Sequence, residues 1–129
     1  MKIWKSYGSE HSMNLVMIGS FKKEDDAEKV EEELRFLFEE IRSLDDSEVF
    51  RDRFSDDVKK LLYSKEIYCL MPQELEQFQY DHSFERDGKK IRYWTDEWDV
   101  SAALKIMLTG GAKVEIFSGD NYRESDVKE

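Results

Sequence analysis

The residue types best suited to proton chemistry in this sequence are its two histidines, His11 and His82. His11 lies in the polar run 9–12, which leads directly into the apolar residues 15–18. A histidine changes its charge near neutral pH, and a neighbouring carboxylate, here Glu10, can orient or charge the ring. Adjacent side chains of an extended segment point to opposite sides, so Glu10 assists His11 only where the chain bends. The other interpretation is a polar loop whose side chains bond to nearby backbone groups.

His82 belongs to a segment of alternating polar and aromatic residues, which places it on one strand face with Tyr80. As an acid or base it would act in a pocket under the sheet, with Tyr80 or Tyr93 and with His11. We therefore take His11, Glu10 and His82 as candidate catalytic residues. The alternative is a histidine packed among aromatic rings. Two histidines far apart in sequence are not a ligand signature, so we expect no metal ion and no cofactor. The alternative is a metal site, which His11 and His82 would form if the fold brought them together with Glu10 or Asp81.

Four large aromatic residues are the candidate binding residues, because such side chains dominate the energetics of many interfaces. Tyr80 and Tyr93 would line the pocket, whereas Trp94 and Trp98 would lie on a surface. Trp94 shares a strand face with polar residues such as Arg92, which favours its exposure on a binding surface. The alternative is that the sheet packs there against an additional element or a second subunit.

Motifs for phosphate binding and for nucleophilic catalysis are missing from the sequence. Gly110 and Gly111 follow a predicted helix, whereas a phosphate-binding loop precedes its helix and needs a spaced Lys and Ser or Thr. The sequence contains no G-x-S-x-G elbow. Cys69 is the single cysteine, which excludes a disulfide within the chain and a cysteine-based zinc site. The residues therefore dictate no reaction.

The charge balance limits the partners. With 30 acidic and 20 basic residues the formal net charge is -10 at pH 7. This charge repels phosphate backbones and anionic lipids, so we expect no binding to nucleic acid or membrane. The first ten residues lack the apolar region of a signal peptide, and no apolar block approaches the roughly 20 residues of a membrane span. We therefore predict a cytoplasmic protein.

Hydrophobic periodicity predicts the order of the secondary structure elements. The apolar residues of the strand 14–19 are consecutive, which is typical of a central strand covered on both faces. Over residues 23–44 the apolar positions step by three and four, which predicts a long helix. The further predicted elements are a short strand over 1–5, a helix from Ser47 to Tyr63, a helical turn over 72–76, a hairpin within 77–96, a helix ended by Gly110 and Gly111, and a strand over 113–117.

The hairpin register depends on its turn. We expect Asp87 and Gly88 to supply the positive φ angles of a two-residue turn. The register that this turn sets pairs Phe84 with Ile91, His82 with Tyr93 and Glu85 with Lys90.

The order strand, helix, hairpin, helix, strand predicts an α+β fold, a ferredoxin-like βαββαβ sandwich. Its antiparallel sheet would carry the helices on one face, and the helix from Ser47 to Tyr63 would be an extra, inserted one. In this topology the first and third strands are central, which agrees with the apolar residues 15–18. We predict a single domain over residues 1–118 and a polar, flexible tail over 119–129.

Residues 8–21 carry the motif GSEHSMNLVMIGxF, which resembles the opening of a group of small prokaryotic proteins of unknown function. The resemblance implies no activity and carries over no functional residue. The predicted topology is similar to those of small-molecule-binding regulatory modules, dimeric α/β barrel enzymes and RNA-binding modules, and topology alone does not decide among them. The first and third strands lack the aromatic and basic pattern of an RNA-recognition module.

Three hypotheses for function follow from these patterns. The first is a binding or interaction module without catalysis, forming a homodimer or binding a protein partner through the open face or an edge of the sheet. The second is a small enzyme, or a ligand-binding or metal-binding protein, with a pocket around His11 and His82. The third is an acidic decoy that binds basic proteins and whose binding weakens steeply with salt.

Overall fold

A computed structural model describes residues 14–44, 53–79 and 83–119 of the chain. Several predictions from the sequence lie outside these residues. They are the strand over 1–5, the polar run with Glu10 and His11, the helix start at Ser47, the residues Tyr80 and His82, and the tail from residue 120 onward.

The described residues form a mixed α/β structure around one four-stranded sheet. The strands are β1 (Asn14–Ser20), β2 (Ser83–Asp87), β3 (Lys90–Asp96) and β4 (Lys113–Ser118). The helices are α1 (Glu24–Arg42), α2 (Asp56–Ser64) and α3 (Val100–Thr109), with a 3₁₀ helix at Pro72–Phe78.

The sheet has the order β2-β3-β1-β4, and every neighbouring pair is antiparallel. β1 is therefore a central strand, as its run of apolar residues predicts. Residues 15–19 of β1 are all buried, because they have neighbouring strands on both sides and packing on both faces.

The main core lies between α1, α3, the 3₁₀ helix and the sheet face that carries Met17, which we call the helix face. Negative charge in the first turn of α1, at Glu24, Asp25 and Asp26, interacts favourably with the helix dipole. The predicted apolar stripe is confirmed for its five members within α1, which are fully buried, whereas the sixth, Leu44, lies beyond the end of α1 and is half-buried. The five members within α1 are Ala27, Val30, Leu34, Leu37 and Ile41.

The predicted hairpin is present, but its predicted register is wrong by two residues. Phe84 pairs with Tyr93 and Glu85 pairs with Arg92. The turn residues are Gly88 and Lys89, and only Gly88 has a positive φ, 62°, as in a type II′ turn. An ion pair between Glu85 and Arg92 supports the observed register.

The helix that we predicted from Ser47 to Tyr63 is α2, which starts later than expected. Residues 53–55 are not helical, and Ser55 takes the N-cap position, where its hydroxyl accepts a hydrogen bond from the Val58 amide at 3.2 Å. At the other end Glu66 has a φ of 57°, and the amide of Ile67 bonds to the carbonyl of Leu62. This is a Schellman-type helix end.

The two last predicted helical elements are confirmed. Pro72 opens the 3₁₀ helix, where its missing N–H costs nothing. α3 ends at Thr109, and Gly110 and Gly111 follow it, with Gly111 at a φ of 96°. None of the helices in the described part of the chain is long and apolar enough to cross a membrane.

Candidate functional site

The structure describes three of the seven residues that the sequence singled out. His11, Glu10, His82 and Tyr80 lie outside the described residues. Tyr93, Trp94 and Trp98 are described, but the structure does not bring them to one surface. Tyr93 lies on the helix face of the sheet, and Trp94 lies on the opposite face. Trp98 lies in the turn between β3 and α3.

Tyr93 is part of the core, with 1% of its surface exposed. Its ring stacks on Phe84 at a centroid distance of 6.1 Å and on Phe38 at 6.2 Å. Burial raises the pKa of its hydroxyl well above the ordinary value, and the nearby carboxylates of Asp99 and Asp96 raise it further. Such a phenol stays neutral and is not a base at neutral pH.

Carboxylates gather where β3 leads into α3, and we call Glu76, Asp96 and Asp99 the acidic corner. Oδ1 of Asp96 accepts hydrogen bonds from the backbone amides of Trp98 at 3.0 Å and Asp99 at 2.9 Å. Asp99 occupies the N-cap position of α3, where its side chain makes no capping bond. Burial first, and then the charges of Asp96 and Glu76, raise the pKa of Asp99 to about 6.

The raised pKa of Asp99 makes stability depend on pH. Its ordinary value is 3.8, so between 3.8 and about 6 the unfolded chain releases this proton before the native state does. Ionisation of Asp99 therefore opposes folding, fully above about pH 6 and not at all below 3.8. We expect Asp99→Asn to raise the free energy of unfolding at pH 7.5 by about 1 kcal/mol after allowance for solvent screening.

Urea unfolding of Asp99→Asn and the unmodified protein at pH 7.5 and pH 3 measures this difference. The two proteins should be equally stable at pH 3. Equal stability at pH 7.5 would contradict the unfavourable charge of Asp99.

Two further features lie beside the acidic corner. Trp98 is 74% exposed, the most exposed of the large apolar side chains in the described segments. Thr95, directly before Asp96, is buried, and its hydroxyl has no hydrogen-bond partner in the structure. A buried hydroxyl without a partner is unfavourable and attracts a water molecule or a ligand group.

The sheet face away from the helices, which we call the outer face, has an apolar centre. Val16 and Ile18 of β1 lie there and are 1% and 4% exposed. Trp94 of β3 and Phe117 of β4 lie in register on either side of Val16, and both are half-buried. Arg92, next to Ile18, forms its ion pair with Glu85 here. Trp94 and Arg92 share this face, as the sequence predicts.

β4 ends the described sheet, because its one described neighbour is β1. The amide of Gly119 donates a hydrogen bond of 2.6 Å to the carbonyl of Asn14, so Gly119 and alternate residues before it face β1. The backbone groups of Val114, Ile116 and Ser118 consequently point away from β1. We call these three residues the β4 edge.

Buried and half-buried polar side chains connect the 3₁₀ helix to α3, and we call Glu74, Gln77, Ser101 and Lys105 the polar clamp. The carboxylate of Glu74 accepts bonds of 2.8 Å from Ser101 Oγ, Lys105 Nζ and the Met71 amide. Gln77 Oε1 accepts a bond of 2.8 Å from the amide of Ala102 in the first turn of α3. The polar clamp thus provides hydrogen-bond partners for its own polar side chains and for the amide of Ala102, which lies in the first turn of α3.

Burial alone would raise the pKa of Glu74, but the bonds from Lys105, the Met71 amide and Ser101 outweigh it and lower the pKa. Across the described ranges 14–44, 53–79 and 83–119, no three His, Cys, Asp or Glu side chains form a group that could hold a metal ion. Cys69 is half-buried and not in a disulfide.

A family model matches residues 1–129, the whole chain. The chain belongs to the family of unknown function DUF6375. Neither the curated proteins nor the solved structures gave a significant match. The resemblance to small proteins of unknown function is thereby confirmed at the level of the family, and membership in DUF6375 assigns no activity.

Two features of this DUF6375 member were missed by sequence reasoning. The acidic corner could have been noticed from Asp96, Glu97 and Asp99, which lie together in one short segment. The polar clamp had no such signal, because Glu74 and Lys105 lie 31 positions apart.

Proposed function

We propose that this protein is a non-catalytic interaction module of the cytoplasm that works as a homodimer. The observation that carries the proposal is the β4 edge, a strand edge with apolar residues that has no neighbouring strand among the described residues and at which backbone groups of a second strand can bond. Trp94 and Phe117 on the adjoining outer face would extend the contact. An acidic net charge keeps such a dimer from associating further.

The described interior supports an interaction module over a pocket enzyme. The side chains between the helices and the sheet are mostly apolar and fully buried, with Tyr93 among them. Glu74 and Gln77, two of the buried polar residues, are bonded within the polar clamp and so are committed to structure.

We further propose that the fold is a ferredoxin-like βαββαβ sandwich with α2 inserted. Support comes from the strand order, which reads β4-β1-β3-β2 from the other side, and from the antiparallel pairing throughout. α1 lies between β1 and β2 in the chain, and α3 lies between β3 and β4, as this topology requires.

A second candidate, a small enzyme with His11, Glu10 and His82 in catalytic roles, is favoured by one observation. Asp99, with a pKa of about 6, lies near the end of β3 at which Thr95 has an unpartnered buried hydroxyl. A carboxyl titrating near neutrality is typical of acid and base catalysts. Tyr80 and His82 precede Ser83, which pairs with Trp94 close to the same corner.

One experiment separates the two candidates. We expect sedimentation velocity and light scattering to give a dimer at micromolar concentration. In the same sample NMR should show ordinary titration of both histidines, with no change on adding zinc. A monomer up to about 1 mM would overturn the homodimer. A strongly displaced histidine pKa, or zinc shifts at both His11 and His82, would instead support the enzyme or metal-binding candidate.

A further inference from the structure

The β4 edge has a defined set of backbone groups that no other strand in the described ranges pairs with. Val114, Ile116 and Ser118 each point an N–H and a C=O away from β1, because the alternate residues bond to β1. A second antiparallel strand could bond to all three. Unpaired edge groups of this kind template the addition of another strand.

A two-fold axis restricts how two β4 strands can pair. When the axis is perpendicular to the sheet, it maps each face of the sheet onto itself, so each residue must lie opposite a residue of the same face. The axis therefore passes between the two copies of one residue, on which the pairing is centred. Centred on Glu115, the pairing sets two glutamates directly opposite each other, which is unfavourable. Centred on Val114, it sets Ile116 opposite Ala112, whose amide already donates to the carbonyl of Met107.

The pairing centred on Ile116 has neither defect. It sets Ile116 opposite Ile116 and Val114 opposite Ser118, so that three pairs exchange two hydrogen bonds each. On the outer face Phe117 then lies opposite Glu115, and Lys113 lies opposite Gly119. No like charges are directly opposed.

The other edge of the described sheet suits self-pairing less well. β2 ends in three charged residues, Glu85, Arg86 and Asp87. A two-fold axis at Glu85 would oppose two glutamates, and one at Arg86 would oppose two arginines. Arg86 is also held by α1, with its Nε 2.9 Å from Glu31 Oε1.

We propose that the homodimer forms by antiparallel pairing of two β4 edges about a two-fold axis at Ile116, giving one continuous eight-stranded sheet. The occupant of the β4 edge is thus a second copy of this chain. This inference rests on the proposed homodimer and adds the edge, the register and the residue pairs.

The register is tested by opposite charges at one position. Phe117→Lys and Phe117→Glu both remove the ring, but only lysine complements the Glu115 that lies opposite. We expect the lysine variant to dimerise about tenfold or more tightly than the glutamate variant, since two cross-strand pairs change from like to opposite charge. Dissociation constants come from sedimentation equilibrium.

Leu108→Lys and Leu108→Glu are the controls, because Leu108 is exposed at the end of α3 and the charge change is the same. The controls should differ from each other by much less than the Phe117 pair. A preference for glutamate at 117 would indicate the axis at Glu115, which sets residue 117 opposite Lys113. Equal dimerisation of the Phe117 pair would overturn the proposed register.

A backbone variant tests the edge itself. Ser118→Pro removes an outward N–H that bonds to no described residue of the monomer, and Ser118→Ala keeps that N–H. We expect the proline variant to dimerise at least about tenfold more weakly than the alanine variant, with equal thermal stability of the diluted monomers. A dimer that all these variants leave unchanged would overturn the β4 edge but keep the homodimer, whereas a monomeric unmodified protein would overturn the homodimer itself.

Discussion

Gly110→Ala is expected to lower the free energy of unfolding by about 2–3 kcal/mol through overpacking. A Cβ atom at Gly110 would overlap Cγ2 of Val30, at a separation that real Cβ atoms do not show. Val30 is fully buried in α1, and a β-branched side chain in a helix has essentially one rotamer, so it cannot turn away. The close approach of the α3 end to α1 therefore requires glycine at this position.

Gly19→Ala is the matched control, measured with Gly110→Ala by urea unfolding. A Cβ atom at Gly19 would lie 3.1 Å from the sulfur of Met107, whose flexible side chain can move. We expect a loss below about 1 kcal/mol for this variant. If Gly110→Ala proved no more destabilising than Gly19→Ala, the contact between Val30 and the end of α3 would be looser than the structure indicates.

Lys105→Met is expected to cost about 2 kcal/mol at pH 7, because it leaves the buried Glu74 carboxylate with neutral donors only. The ammonium of Lys105 lies 2.8 Å from Glu74 Oε1, and the side chain of Glu74 is 8% exposed against 37% for Lys105. Partial access of solvent to Lys105 keeps the cost below that of a fully buried pair. Methionine retains most of the apolar stem of lysine, so the lost charge is the main change.

The cost should depend on pH in a definite direction. The native pKa of Glu74 lies below its ordinary value of 4.5, so its ionised form contributes stability above 4.5, and this stability is lost as pH falls through the native pKa. The destabilisation by Lys105→Met should accordingly shrink as pH falls below 4.5. In a Glu74→Gln background the lysine substitution should cost much less at pH 7, as a double-mutant cycle would measure. An equal cost in both backgrounds would show that the pair contributes nothing.

Much of the architecture is predictable from the sequence, because burial leaves a periodic pattern. β1 and the stripe of α1 are found within a residue or two for this reason. The hairpin register, in contrast, is not determined by this periodic pattern. Sliding one strand by two residues keeps every side chain on its face, so the hydrophobic pattern is the same for both registers. The choice depends on local contacts, here the stacking of Phe84 on Tyr93 and the pair of Glu85 with Arg92.

The contacts that join distant segments could not be predicted. Val30 and Gly110 lie 80 positions apart, and the hydrogen bond between Gln77 and Ala102 joins residues 25 positions apart. Nothing in local spacing encodes such pairs. Spacing alone does not decide whether Ser47 or Ser55 is the N-cap, because both precede apolar residues at helical spacing.

Because β1 is central in the sheet and both of its described partners follow it in the chain, its pairing is delayed during synthesis. β1 leaves the ribosome before its two partner strands, which span residues 90–96 and 113–118. At about 5–20 residues per second, the strand waits several seconds for its first partner and longer for its second. During this interval Leu15 to Ile18, the most apolar stretch of the chain, lacks both of its described partner strands. The described sheet is complete only when β4 has been made, so its assembly depends on contacts between segments that lie far apart in sequence.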